Sequence, residues 1–338
     1  MLSKRVSLLR PHFFAIDYVQ LQNLEAKVLV RPEYLCLCHA DQRYYQGQRR
    51  PEALRKKLPM ALIHECAGRV LQDPTGQFQP GQRVVLIPNV PDPQRRGQYE
   101  NYGEQVGFRS SGLDGFTQEL LALEADRVVP APDIAPEVAA ITEFFSVAFH
   151  GIGKLARTMG REPQEVAVWG DGSLSYVLCL ALRWLYPQLA IYLVGKKEIK
   201  TRLFTFVDQI YYSNDLPADL RFDWAFECCG GQGSYYAIQD IIRQIRPEGG
   251  VALMGVSEEQ IAVNTRDILE KGLTFIGASR SGREDFLAAV EALAEPKLAR
   301  RLGRIVKYEG PVRSVTDLHR IFEQDRNNPF KTAFKWEF

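Results

Sequence analysis

The chain has 338 residues, 46% hydrophobic and 25% charged, which suits a globular protein large enough for two domains with separate cores. A formal net charge of +1 excludes bulk attraction to nucleic acid or to an anionic membrane, so any anion site must be local. No window approaches the roughly 18 apolar residues of a membrane span, and the opening Met1–Pro11 is too interrupted for a signal peptide. The six cysteines (Cys36, Cys38, Cys66, Cys179, Cys228, Cys229) show no disulfide-framework spacing. Free thiols in a cytoplasmic protein are expected.

Residues 1 to about 150 read as strands and turns. Apolar runs at 27–30 and 34–37 are broken by Pro32, and strands at 68–71 and 83–88 flank the turn Gln79-Pro80-Gly81-Gln82. The polar stretch 89–109 is expected to be a long surface loop. Beyond residue 150 the rhythm changes. Strands at 166–169, 191–194, 224–228, 251–254 and 273–276 alternate with helices at 173–186, 199–206 and 235–245. That alternation predicts an α/β fold with a doubly wound parallel sheet covered on both faces. A helix follows from 286 to about 294, and 303–338 returns to mixed strand and helix. The expected division is a first domain at 1–150, completed by about 300–338, and a second at 151–299. A sheet-edge position for the strand 273–276 would let it pair with its copy in a second subunit, giving a homodimer.

The turn Gly170-Asp171-Gly172-Ser173-Leu174-Ser175 follows a strand and opens a helix, the context of a dinucleotide site. Gly170 permits the tight turn, and Gly172 permits close approach of a pyrophosphate to the helix N-terminus. Serine replaces the third glycine. The next strand ends in Gly195-Lys196-Lys197, where an NAD site would carry Asp or Glu. Gly195 removes that carboxylate, and Lys196, Lys197 and Lys200 add positive charge, which favours NADP(H).

Four side chains in the first half have metal-ligand chemistry: Cys38, the adjacent His64 and Glu65, and Glu143. A thiolate, an imidazole and a carboxylate hold Zn²⁺ with one position open, as a catalytic zinc requires. Asp41 is the candidate partner that orients His64. Whether Glu65 or Glu143 is the direct carboxylate ligand stays open. Cys36 and Cys66 read as core. Metal and dinucleotide together point to hydride transfer at a carbonyl polarised by zinc.

These residues resemble the zinc-containing medium-chain dehydrogenase/reductase superfamily over essentially the whole chain. The runs 40–45 (Ala-Asp-Gln-Arg-Tyr-Tyr), 57–60 (Lys-Leu-Pro-Met), 63–65 (Ile-His-Glu), 108–112 (Phe-Arg-Ser-Ser-Gly), 169–172 (Trp-Gly-Asp-Gly), 255–258 (Gly-Val-Ser-Glu), 269–274 and 279–282 are similar to those of the ribitol-5-phosphate dehydrogenases, also called ribulose-5-phosphate reductases. The resemblance implies a GroES-like, mainly β catalytic domain beside a Rossmann domain, with one catalytic zinc and NADP(H). It implies reduction of D-ribulose 5-phosphate to D-ribitol 5-phosphate. The product would serve CDP-ribitol synthesis for teichoic acid or capsule, beside a cytidylyltransferase of the same pathway. It carries the catalytic zinc to Cys38, His64, Glu65 and Glu143, and pyrophosphate binding to Gly170–Leu174.

Three departures stand out. Ala40 replaces the Ser or Thr that relays a proton in many relatives, which makes Tyr44, Tyr45 or a water chain the candidate relay. Ile63 replaces the glycine usual before His-Glu in the wider superfamily. No cysteine lies in 89–109 to hold a structural zinc. Arg43, Lys57 and Arg109 are the candidate cations for the substrate phosphate. Two alternatives share the same parts: a zinc polyol dehydrogenase acting on an unphosphorylated sugar alcohol, and a nucleotide-binding protein that has lost catalysis.

Overall fold

Val28, Val30, Leu35 and Cys36 are fully buried along the strand Val28–Cys36, which lies within a seven-stranded sheet. The computed structural model describes residues 1–338. In this sheet the order is Val128–Pro130, Arg83–Leu86, Glu65–Gln72, Val28–Cys36, Lys331–Trp336 and Val306–Val312, with Leu121–Leu123 also pairing Val28–Cys36. Pro32 does not break the strand, as the sequence suggested. It shifts the register against Glu65–Gln72 between Pro32 and Tyr34, because a residue without an N–H is accommodated in a sheet at an irregularity. A second, three-stranded sheet joins Phe13–Gln20, Leu2–Arg10 and Met60–Ala61. Val6, Leu8, Val30, Leu35, Phe116, Phe322 and Phe334 belong to the core of this part of the chain.

The C-terminal strand Lys331–Trp336 pairs antiparallel with Val28–Cys36, setting Ala333 opposite Cys36 and Phe334 opposite Leu35. The chain accordingly divides into two units, Met1–Ser146 with Ser281–Phe338, and Val147–Arg280. The second boundary lies at 280, not at the 299 expected from sequence. The helices Arg283–Leu293 and Pro296–Gly303 belong to the first unit. The Arg283 guanidinium donates to the carbonyls of Asp126 (2.6 Å) and Val128 (3.1 Å), and its backbone N–H donates to Glu100 Oε1 (2.8 Å).

The stretch 89–109 is tied down by charge. Asn89–Val90 pairs with Gly107–Phe108 in a short hairpin. Asp92 accepts from the N–H groups of Gln94 and Gln105. Glu100 receives a two-pronged bond from Arg127, at 2.8 and 3.1 Å. Burial alone would raise the Glu100 carboxyl, but Arg127 and the Arg283 N–H outweigh it and hold the group below the usual carboxylate range.

The second unit is a six-stranded parallel sheet in the order Gln209–Tyr212, Ala190–Gly195, Glu165–Trp169, Phe222–Glu227, Ile245–Leu253, Thr274–Gly277. This is the Rossmann order, with the chain reversing direction across the sheet at its first strand. Near-continuous burial of Val166–Trp169, Trp224–Glu227 and Gly249–Ala252 fits a sheet covered on both faces. Thr274–Gly277 is an edge strand. No helix is long and apolar enough to cross a membrane.

Candidate active site

Cys38 stands at the N-cap of the helix His39–Tyr45, and His64 and Glu65 lead into the strand Glu65–Gln72. Their ligand atoms all lie within 4.8 Å of one another. Asp41 holds this corner together. Its Oδ2 accepts from the Cys38 N–H (3.1 Å), and its Oδ1 accepts from the Ile63 N–H (3.0 Å) and the Ser110 hydroxyl (2.5 Å). The same Oδ1 lies 3.6 Å from His64 Nδ1, longer than a hydrogen bond. Burial raises the Asp41 carboxyl, but His64, Ser110 and the Cys38 N–H hold it below the usual range. Ile63 takes φ +69° where the superfamily usually has glycine, and its carbonyl accepts from the Phe116 N–H at 2.7 Å. That backbone region is costly for a β-branched residue and persists because the surroundings over-determine it.

A zinc ion fits this group. His64 Nδ1 and Glu65 Oε2 are both buried with no hydrogen-bond partner. Burial pushes the His64 imidazole down, but Asp41 and then Cys38 outweigh it and raise it well above its ordinary value. A cation bound by this set displaces that proton.

Lys331, which sequence reasoning missed, is almost fully buried here. Its ammonium donates to Glu65 Oε1 (2.5 Å) and to the Leu37 carbonyl (2.7 Å), and lies 4.5 Å from the centre of the Phe144 ring. Burial works against its charge, but Glu65, Cys36 and Cys38 hold its pKa above the ordinary lysine value. One oxygen of Glu65 is therefore engaged by Lys331, and the other is left for the metal group. Glu143, in the first turn of the helix Thr142–Met159, is buried but outside the 4.8 Å set. Burial pushes its carboxyl up to about 7, with His64 and Lys331 opposing and Glu65 and Asp41 adding to the rise.

Other sequence candidates are distributed differently. Tyr45 is not with the metal group. Its hydroxyl pairs with His319 Nδ1 at 2.9 Å, and its ring packs with His12, Phe14 and Phe322. Burial and Glu323 push its pKa up to about 12, which corrects its expected relay role. Arg109 is committed inside the fold. It donates to the Asp114 carbonyl at 3.1 Å and lies 5.9 Å from the centre of the Phe116 ring, and desolvation lowers its pKa. Lys57 donates to Ser111 Oγ at 3.0 Å and lies 6.0 Å from the Tyr44 ring, over which Arg49 also stands at 4.9 Å. Arg43, next to Tyr44 on the same helix, is half-buried. The fold thus brings Lys57 and Arg49 to the Tyr44 ring, with Ser111 bonded to Lys57, and places Arg109 elsewhere.

In the second unit a cleft of about 870 Å³ is lined by Gly170, Asp171, Gly172, Gly195, Lys196, Lys197 and Lys200. Ser173 and Leu174 begin the helix Ser173–Leu185 behind it. Gly170 has φ +124°, and a Cβ there would come within 2.7 Å of Ser175 Oγ, so both residues need to be small. A Cβ on Gly172 would meet nothing within 4 Å, which leaves the open approach a pyrophosphate needs. Ser213, Asn214, Tyr236 and Arg243 also line this cleft. No spacing in the sequence signals them, because parallel strand order brings together ends that are far apart along the chain.

The alcohol dehydrogenase GroES-like domain family matches residues 25–133. Ribulose-5-phosphate reductase of Streptococcus pneumoniae is 47% identical, over 100% of this chain and 98% of that one. Ribulose-5-phosphate reductase of Bacillus spizizenii is 44% identical over the full length of both. The chain belongs to this reductase family. Its place is within the zinc-containing medium-chain dehydrogenase/reductase superfamily. The crystal structure of Staphylococcus aureus TarJ in complex with NADPH superposes with a TM-score of 0.88 at 38% identity, covering 100% of both chains.

Proposed function

We propose that the protein reduces D-ribulose 5-phosphate to D-ribitol 5-phosphate with NADPH. The observation that carries this is the group of half-buried Cys38 with buried His64 and Glu65, intact in a chain whose full-length relatives are ribulose-5-phosphate reductases. Cys38, His64 and Glu65 are the proposed zinc ligands, with Glu143 the carboxylate beside them that can exchange in. Bound there, zinc supplies a Lewis acid that polarises a carbonyl, and NADPH supplies the reducing equivalent. Asp41 orients the group from behind, through the Cys38 and Ile63 N–H groups and the Ser110 hydroxyl. Lys331 fixes the rotamer of Glu65. Gly170–Leu174 is the proposed pyrophosphate turn, and Lys196, Lys197 and Lys200 the cations facing the 2′-phosphate.

For the substrate phosphate we retain Lys57 and Arg43 and add Arg49 and Ser111, because Lys57 and Arg49 converge on one ring. A zinc domain at Met1–Ser146 with Ser281–Phe338 and a dinucleotide domain at Val147–Arg280 complete the assignment. A homodimer through the edge strand Thr274–Gly277, work beside a cytidylyltransferase in the cytoplasm, and use of the product for teichoic acid or capsule belong to the same proposal. The test is NADPH oxidation with a panel of pentulose phosphates and their free sugars. Selective turnover of ribulose 5-phosphate is expected. Equal turnover of ribulose would replace this function with a plain polyol dehydrogenase.

A further inference from the structure

Gly195 ends the strand Ala190–Gly195 in a backbone conformation that any residue can adopt, so conformational freedom does not explain the glycine. Space does. A Cβ at position 195 would lie 2.5 Å from Thr201 Cγ2, a distance that nonbonded carbons do not reach. Thr201 has little room to move. It is 1% exposed, its χ1 is restricted by β-branching, and its hydroxyl lies 3.3 Å from both the Glu198 carbonyl and the Tyr212 hydroxyl. On the other side, the same Cβ would stand 3.3 Å from Asp171 Cβ and 3.7 Å from Asp171 Oδ2. Asp171 is fixed in turn. Its Oδ2 accepts from the backbone N–H of Lys196 (2.9 Å) and of Lys197 (2.8 Å), which sets the direction in which both lysines leave the strand.

We infer that Thr201 determines coenzyme specificity: its buried methyl takes the space a side chain at 195 needs, so it enforces glycine and keeps a strand-end carboxylate out of the cleft. This rests on the NADPH assignment above. Asp171 completes the device. A carboxylate introduced at 195 would meet Thr201 on one side and a like charge on the other. Changing coenzyme preference in this protein therefore requires removing the Thr201 methyl as well as changing Gly195. Thr201→Ser is the clean way to do so, because it keeps the hydroxyl.

The experiment places Gly195→Asp in the wild-type chain and in Thr201→Ser. It measures dissociation constants for NADPH and NADH by fluorescence titration, and melting temperature without coenzyme. Gly195→Asp alone should weaken both coenzymes by about tenfold or more and lower the melting temperature. Adding Thr201→Ser should raise the melting temperature and restore NADH binding to the wild-type range or tighter, with NADPH still weakened about tenfold. The inference is overturned if Gly195→Asp alone binds NADH well, or if the double variant behaves like the single one. Should Gly195→Asp fail to fold, a folded double variant supports the inference and an unfolded one overturns it. Equal wild-type affinity for the two coenzymes would instead overturn the NADPH assignment, and the melting temperatures would still report the packing on their own.

Discussion

Lys331→Met is the sharpest single perturbation of the metal group. The ammonium and the Glu65 carboxylate are 4% and 0% exposed and lie 2.5 Å apart. Removing one partner of such a pair leaves the other buried without its hydrogen-bonded counter-charge, a loss of up to about 3–5 kcal/mol that the neighbouring His64 offsets only in part. The lost bond to the Leu37 carbonyl and the contact with Phe144 act in the same direction. Because a zinc ion beside Glu65 replaces the missing positive charge, the penalty should be largest in metal-free protein and smaller in zinc-loaded protein. Urea unfolding of both forms measures this difference. Removing both charges, in Glu65→Gln/Lys331→Met, should recover most of the metal-free loss, since an uncharged pair of similar shape is close to neutral. A metal-free loss below about 1 kcal/mol, the size of an exposed ion pair, would refute the reasoning. So would a double variant no more stable than Lys331→Met.

Cys38→Ser should lose zinc and activity while NADPH affinity stays within about twofold, because the glycine turn lies in the other unit; elemental analysis still finding one zinc per chain would count against the ligand set. Glu100→Gln should cost about 1 kcal/mol at neutral pH, a figure kept small because the side chain, 16% exposed, stays within reach of solvent. The Glu100 pKa is lowered from 4.5 by folding, so its stabilisation is present above that value and is lost as pH falls through the lower, folded one. An acid-side stability slope unchanged in Glu100→Gln would show that the Arg127 fork contributes nothing. Lys57→Met should raise the KM for ribulose 5-phosphate by about tenfold or more and change the efficiency with free ribulose little; parallel losses on both sugars would move the phosphate elsewhere.

Local signals in the chain are enough for five of the six strands of the Rossmann sheet, the edge strand Gln209–Tyr212 being the one missed, and for the glycine turn and the grouping of Cys38 with His64 and Glu65. Strand and helix periodicity reports burial within one element, and a strand running into Gly170-Asp171-Gly172 before an apolar helix leaves few alternatives. Other features were not legible. The strand run 34–37 reads as separate from 27–30 until its partners show that Pro32 only shifts the register. The sequence offers Tyr45 as a relay in place of Ala40 and Arg109 as a phosphate cation, but the direction of each side chain depends on which core it faces. Tyr45 turned to His319, and Arg109 to Asp114. Lys331 reaches Glu65 because the C-terminal strand pairs beside Val28–Cys36, which in turn sets Cys36 opposite Glu65. Thr201 restricts Gly195 because the chain folds back against the strand it has just left. Both contacts depend on pairing and packing between separate elements, and a burial pattern along one element carries no information about which atoms of another will meet it.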